Sequence, residues 1–188
     1  MDAFFVSTLV VAVGEIGDKT QLLALVLAAR FRKPVPIILG ILFATLLNHG
    51  LAGVVGGMIR DALSPETLRW ILGLSFIAIA LWALKPDTLD DEPSNHTAYG
   101  IFALTFVTFF LAEIGDKTQL ATVALAAKYT SLPMVVAGTT LGMLIADVPA
   151  VFLGEKAAPK LPMKAIRMVA AGLFALMGLA VLLGFSIG

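Results

Sequence analysis

One eight-residue string occurs twice in this chain without a single change. Glu15-Ile16-Gly17-Asp18-Lys19-Thr20-Gln21-Leu22 returns 98 positions later as Glu113-Ile114-Gly115-Asp116-Lys117-Thr118-Gln119-Leu120. Each copy sets two acids and a lysine in the middle of an otherwise apolar run, so any fold must shelter both sets of charges in equivalent ways. The match continues weakly through Ala28-Ala29-Arg30 against Ala126-Ala127-Lys128 and Gly40 against Gly138, which divides the chain into two related halves.

The surroundings of those charges set the solvent. Of 188 residues, 59% are hydrophobic and 14% charged, and mean hydropathy is +0.97; an ordinary soluble domain is about 45–50% apolar and about 25% charged. Too few charges remain to cover a water-exposed surface. A net charge of +0 argues against a nucleic-acid partner, which needs a basic stripe. The absence of cysteine excludes disulfides, thiolate zinc sites and cysteine nucleophiles.

A bilayer core about 30 Å thick needs about 20 apolar helical residues. Six stretches qualify, near 3–29, 34–59, 68–84, 98–127, 133–154 and 163–186. Their apolarity is continuous rather than alternating, which favours helices over barrel strands. Breakers fall between them: Arg30 to Pro34, Ser64-Pro65-Glu66, Pro133, Pro159 and Pro162. The first stretch is not expected to be a cleaved signal, because Asp2 replaces the usual basic start and Glu15, Asp18 and Lys19 interrupt it. The expected fold is all-α, a polytopic membrane protein of six transmembrane helices with the lipid bilayer as its partner. Residues 1–86 form the first three-helix repeat, 87–97 a solvated acidic linker, and 98–188 the second repeat.

Three spans separate the two octapeptides. An odd number inverts the second copy across the membrane, and inverted repeats are a common architecture of secondary transporters with a midplane site. Loops on one side carry Arg30, Arg32, Lys33, Lys85, Lys156, Lys160, Lys164 and Arg167, against Arg60, Arg69 and Lys128 on the other. The richer side is expected to face the cytoplasm, which places both termini outside.

Glu15 falls near the middle of its span and Asp18 three residues on, so the two are expected to project from one helix face, as are Glu113 and Asp116. A charge at the bilayer centre costs roughly 2.5–3.5 kcal/mol on insertion scales, so these groups are expected to face one another. Gly17 and Gly115 would leave room for the helices to approach. Four carboxylates suit a hard divalent cation such as Ca²⁺, Mn²⁺ or Mg²⁺; only His49 and His96 offer imidazole. Set against Lys19 and Lys117, the four acids leave two negative charges, which one divalent ion or two protons would neutralise in competition. A second reading pairs Glu15 with Lys19 and Glu113 with Lys117 along each helix, i to i+4, as packing anchors only.

Thr20, Gln21, Thr118 and Gln119 offer further oxygen ligands or interhelical hydrogen bonds. Asn48 and Asp147, from the second span of each half, are additional site candidates, with surface or capping roles as their alternatives. Asp147 aligns by the same offset with His49, and Pro149 is expected to break its helix and free carbonyl oxygens. His49 reads as interfacial rather than as a proton relay. The Gly53–Gly57 and Gly138–Gly142 spacings read as helix contacts.

A six-span chain with E-x-G-D-[KR]-[TS] in its first and fourth helices resembles the UPF0016 or GDT1 family, the Ca²⁺:cation antiporter-2 family, and within it the bacterial manganese exporters. The resemblance implies export of Mn²⁺, with Ca²⁺ handled by some members, in exchange for protons and without a cofactor. It implies that Glu15, Asp18, Glu113 and Asp116 are the essential acids, with Lys19, Thr20, Lys117 and Thr118 as motif neighbours, and that hydroxyl-bearing residues stand in the second and fifth helices, for which Thr45, Thr139 and Thr140 are the candidates. The extensions of eukaryotic members are absent, which points to a bacterial inner membrane. A passive cation channel, or an intramembrane enzyme or assembly factor with structural ion pairs, stands as the alternative to an antiporter.

Overall fold

The computed structural model describes residues 1–85, 100–153 and 163–184, so the expected linker at 87–97 and His96 lie outside the described residues. Eight helices occur among them: α1 (Asp2–Glu15), α2 (Lys19–Phe31), α3 (Pro34–Ala62), α4 (Pro65–Ala83), α5 (Gly100–Glu113), α6 (Lys117–Lys128), α7 (Leu132–Leu153) and α8 (Met163–Leu182). Three of them, α3, α4 and α7, are individually long and apolar enough to cross a membrane, and α5 and α8 add shorter apolar segments. The all-helical class agrees with the apolar pattern.

The first and fourth stretches are not continuous helices. Each breaks inside the octapeptide, α1 ending at Glu15 and α2 starting at Lys19, and likewise α5 at Glu113 and α6 at Lys117. Gly17 and Gly115 adopt φ of 85° and 75°, a left-handed conformation that ends a right-handed helix and that glycine enters without Cβ strain. A Cβ on Gly115 would meet nothing within 4 Å, so this glycine serves the turn and not close helix approach. Asp18 and Asp116 then take the N-cap position of the next helix with extended backbone. Glu15 and Asp18 therefore do not share a helix face, and Glu15–Lys19 and Glu113–Lys117 are not i to i+4 neighbours on one helix.

The helices pair reciprocally between the halves. α1 lies on α7 as α5 lies on α3, α2 touches α7 as α6 touches α3, α3 crosses α7, and α4 packs along α8. Small residues permit the closest approaches. A Cβ on Gly142 would come within 2.6 Å of the Thr8 carbonyl oxygen of α1, and one on Gly40 within 2.6 Å of Thr105 Cβ on α5. Gly138 also faces α1, but of the Gly53–Gly57 pair only Gly53 meets another helix; Gly56 takes the second contact, on α6, and Gly57 meets only Arg60 of its own helix. Pro149 sits inside α7, which continues through it to Leu153.

Polarity is distributed inside out. Phe5, Leu9, Phe43, Leu51, Leu81, Leu111, Ile145, Phe152 and Leu176 are exposed, whereas Glu15, Asp18, Glu113, Asp116, Lys117 and Asp147 are buried. Water would penalise such an arrangement; hydrocarbon favours it.

Candidate metal site

Glu15 and Glu113 are the last residues of α1 and α5. A helix C-terminus carries the negative end of the macrodipole. Two such ends, each bearing a carboxylate, thus meet in one place and favour a cation there. Oxygens of Glu15, Glu113 and Asp116 lie within 4.8 Å of one another, and Glu15 is within electrostatic reach of Asp18, Glu113, Asp147 and Asp116. All five acids are sealed from solvent, none more than 1% exposed.

The two aspartates of the turns are tied across the halves. Lys117 Nζ reaches Asp18 Oδ1 at 2.6 Å, and Lys19 Nζ reaches Asp116 Oδ1 at 3.3 Å. Asp18 Oδ1 also accepts from the Lys19 backbone N–H at 2.7 Å. Each motif's lysine therefore neutralises the other motif's aspartate. Both carboxylate oxygens of Glu15, both of Asp147 and Oε1 of Glu113 have no hydrogen-bond partner among the described residues. Buried acceptors left in that condition cost about 1–3 kcal/mol each, more when charged, unless something outside the polypeptide occupies them.

The remaining expected residues divide by what they touch. Gln21 and Gln119 brace the turns: their Oε1 atoms accept from the Gly17 and Gly115 backbone N–H groups at 2.8 and 2.7 Å. Gln21 Nε2 then donates to the Ala146 carbonyl of α7 at 2.9 Å, and Gln119 Nε2 to Asn48 Oδ1 of α3 at 3.4 Å. Asn48 donates onward to the Phe110 carbonyl at 3.0 Å, which makes it an interhelical tie. Thr118 Oγ1 lies 3.2 Å from Asp116 Oδ2 and 3.4 Å from Glu113 Oε2. Thr20, Thr45 and Thr140 hydroxyls are buried without a partner among the described residues, whereas Thr139 bonds the Val136 carbonyl of its own helix.

His49 is not interfacial. Its side chain is wholly buried on α3, with Nε2 3.7 Å from Glu113 Oε2. The residue at the equivalent position of the other half, Asp147, lies in reach of Glu15 and of Glu113. The 98-residue offset carries this pairing in the sequence; the burial of His49 it does not carry.

A family model described as "Divalent cation/proton antiporter GDT1" matches residues 3–91 and 101–186, one segment on each octapeptide. A Vibrio cholerae protein named "Putative manganese exporter" is 54% identical over 181 residues, covering 96% of this chain and 90% of that protein. A rice GDT1-like protein 4 is 32% identical over 213 residues, 99% of this chain and 72% of its own length. A GDT1-like protein of Synechocystis is 29% identical over 198 residues and 93% of both chains. No solved structure matches.

Proposed function

From the premise that this chain belongs to the GDT1 family of divalent cation/proton antiporters, we propose that it exports Mn²⁺ from the cytoplasm in exchange for protons. As a member of that family it is a multi-pass membrane protein and a transporter rather than an enzyme. The proposal adds the substrate, the direction and the residues. The observation that carries it is the convergence of Glu15, Glu113 and Asp116 at two helix ends sealed from water, with oxygens of Glu15 and Glu113 left without a hydrogen-bond partner among the described residues. The name of the Vibrio relative supports manganese as the ion.

Charge arithmetic gives the coupling. Glu15, Asp18, Glu113, Asp116 and Asp147 are five acids, and Lys19 and Lys117 neutralise two of them. Three negative charges remain. Three protons, or one divalent cation with one proton, bring the cluster to neutrality, so each metal ion exchanges for two protons. A cluster loaded either way tolerates the bilayer interior, whereas the empty one is penalised. That difference is what forbids the switch without cargo and couples the two flows.

In this reading α1–α2 and α5–α6 each make one crossing broken at the midplane, which gives six spans in two inverted repeats. Both termini lie on the periplasmic side of a bacterial inner membrane. The crossed Asp–Lys pairs hold the halves together while both entrances are shut.

Purified protein in proteoliposomes tests this. An imposed pH gradient is expected to drive Mn²⁺ against its own concentration gradient, and to lose that ability in Glu15→Gln and Glu113→Gln. Mn²⁺ that only runs downhill, whatever the pH gradient, would show a channel instead.

A further inference from the structure

His49 is the one buried imidazole among the described residues, and the turn geometry does not use it. It is 0% exposed, and neither Nδ1 nor Nε2 has a hydrogen-bond partner among the described residues. The ring is not left there by packing alone. A buried polar side chain without a partner costs about 1–3 kcal/mol, and a hydrophobic residue of similar bulk would avoid that cost. Its Nε2 lies 3.7 Å from Glu113 Oε2, beyond hydrogen-bond range and compatible with one atom placed between them. Asp116 is the second acid within electrostatic reach of the ring.

We infer that His49 supplies a nitrogen ligand to the transported cation and so sets a preference for first-row transition ions such as Mn²⁺ over Ca²⁺. The inference rests on the carboxylate site proposed above and adds its selectivity. Carboxylate oxygens accept Ca²⁺, Mg²⁺ and Mn²⁺ alike, and so discriminate poorly. An imidazole nitrogen does discriminate, because Ca²⁺ takes oxygen ligands while the divalent transition ions also accept nitrogen. The other half carries Asp147 where this half carries His49. The duplication thus sets an imidazole beside the acidic cluster in one half and a carboxylate in the other, which two identical halves would not do.

Mn²⁺ is paramagnetic, and its electron spin reports a directly bound nitrogen through pulsed electron spin-echo modulation. The full chain in detergent, loaded with Mn²⁺, is expected to show nitrogen modulation that changes when its histidines are labelled with ¹⁵N. The chain contains only His49 and His96, so the signal should persist in His96→Gln and vanish in His49→Asn. His49→Asn is also expected to lower the Mn²⁺ to Ca²⁺ affinity ratio by about tenfold or more. If His49→Asn fails to fold, the labelled wild type and His96→Gln still decide the matter. Mn²⁺ bound in a Glu15-dependent way without histidine modulation would overturn this inference alone. Absence of Glu15-dependent Mn²⁺ binding would overturn the carboxylate site and this inference with it.

Discussion

In the first copy of the octapeptide Gly17 is buried, and Gln21 runs from its N–H to the Ala146 carbonyl. In the second, Ile114 and Gly115 are exposed, and Gln119 ends on the Asn48 side chain at a longer 3.4 Å. The ion pairs are just as unequal: Lys117, 5% exposed, sits 2.6 Å from Asp18, while Lys19, 26% exposed, sits 3.3 Å from Asp116. Identical residues thus give identical turns, with the same positive-φ glycine and the same glutamine brace. What differs comes from α3 and α7, which have His49 and Asn48 in one half and Asp147 and Ala146 in the other. The repeat builds the site; the unrepeated neighbours make its two sides chemically distinct.

The largest test of that inequality removes one lysine at a time. Lys117→Met is expected to destabilise the protein by about 3–5 kcal/mol, because it removes a buried counter-charge 2.6 Å from the buried Asp18. Lys19→Met, at the longer pair with the more exposed lysine, is expected to cost less, about 1–3 kcal/mol, because Thr118 still faces the buried Asp116. Thermal unfolding in detergent reads both, and equal losses would mean that the two pairs are equivalent in solution. A smaller effect is expected at the braces. Gln21→Ala removes the acceptor from a buried N–H and is expected to cost about 1–3 kcal/mol. Gln119→Ala removes the looser brace, whose far end reaches Asn48 only at 3.4 Å, and is expected to cost less, about 1 kcal/mol. Reversal of that order would show that the second brace is the tighter one in the working protein.

Much of this is legible in the amino-acid sequence itself. The duplication, the helical class and the meeting of acids from both copies all follow from charges repeated inside apolar runs. The break at the motif was also written there: Asp18-Lys19-Thr20-Gln21 after Gly17 is an N-cap followed three residues on by glutamine, a helix-start signature. Apolar continuity masked it, because hydropathy does not register a turn whose polar groups are satisfied internally. The exchange of lysines between the halves was not legible, since Lys19 is closer in sequence to Glu15 and Asp18 than to Asp116. Nor was the burial of His49. α3 is apolar around most of its circumference, so its pattern does not say which side turns inward.

The most direct test of a single shared site counts Mn²⁺ bound per chain by equilibrium dialysis, for the wild type and for Glu15→Gln and Glu113→Gln. One ion per wild-type chain is expected, with affinity lost about a hundredfold in either variant alone. Two ions per chain, each abolished by its own substitution and indifferent to the other, would contradict the account.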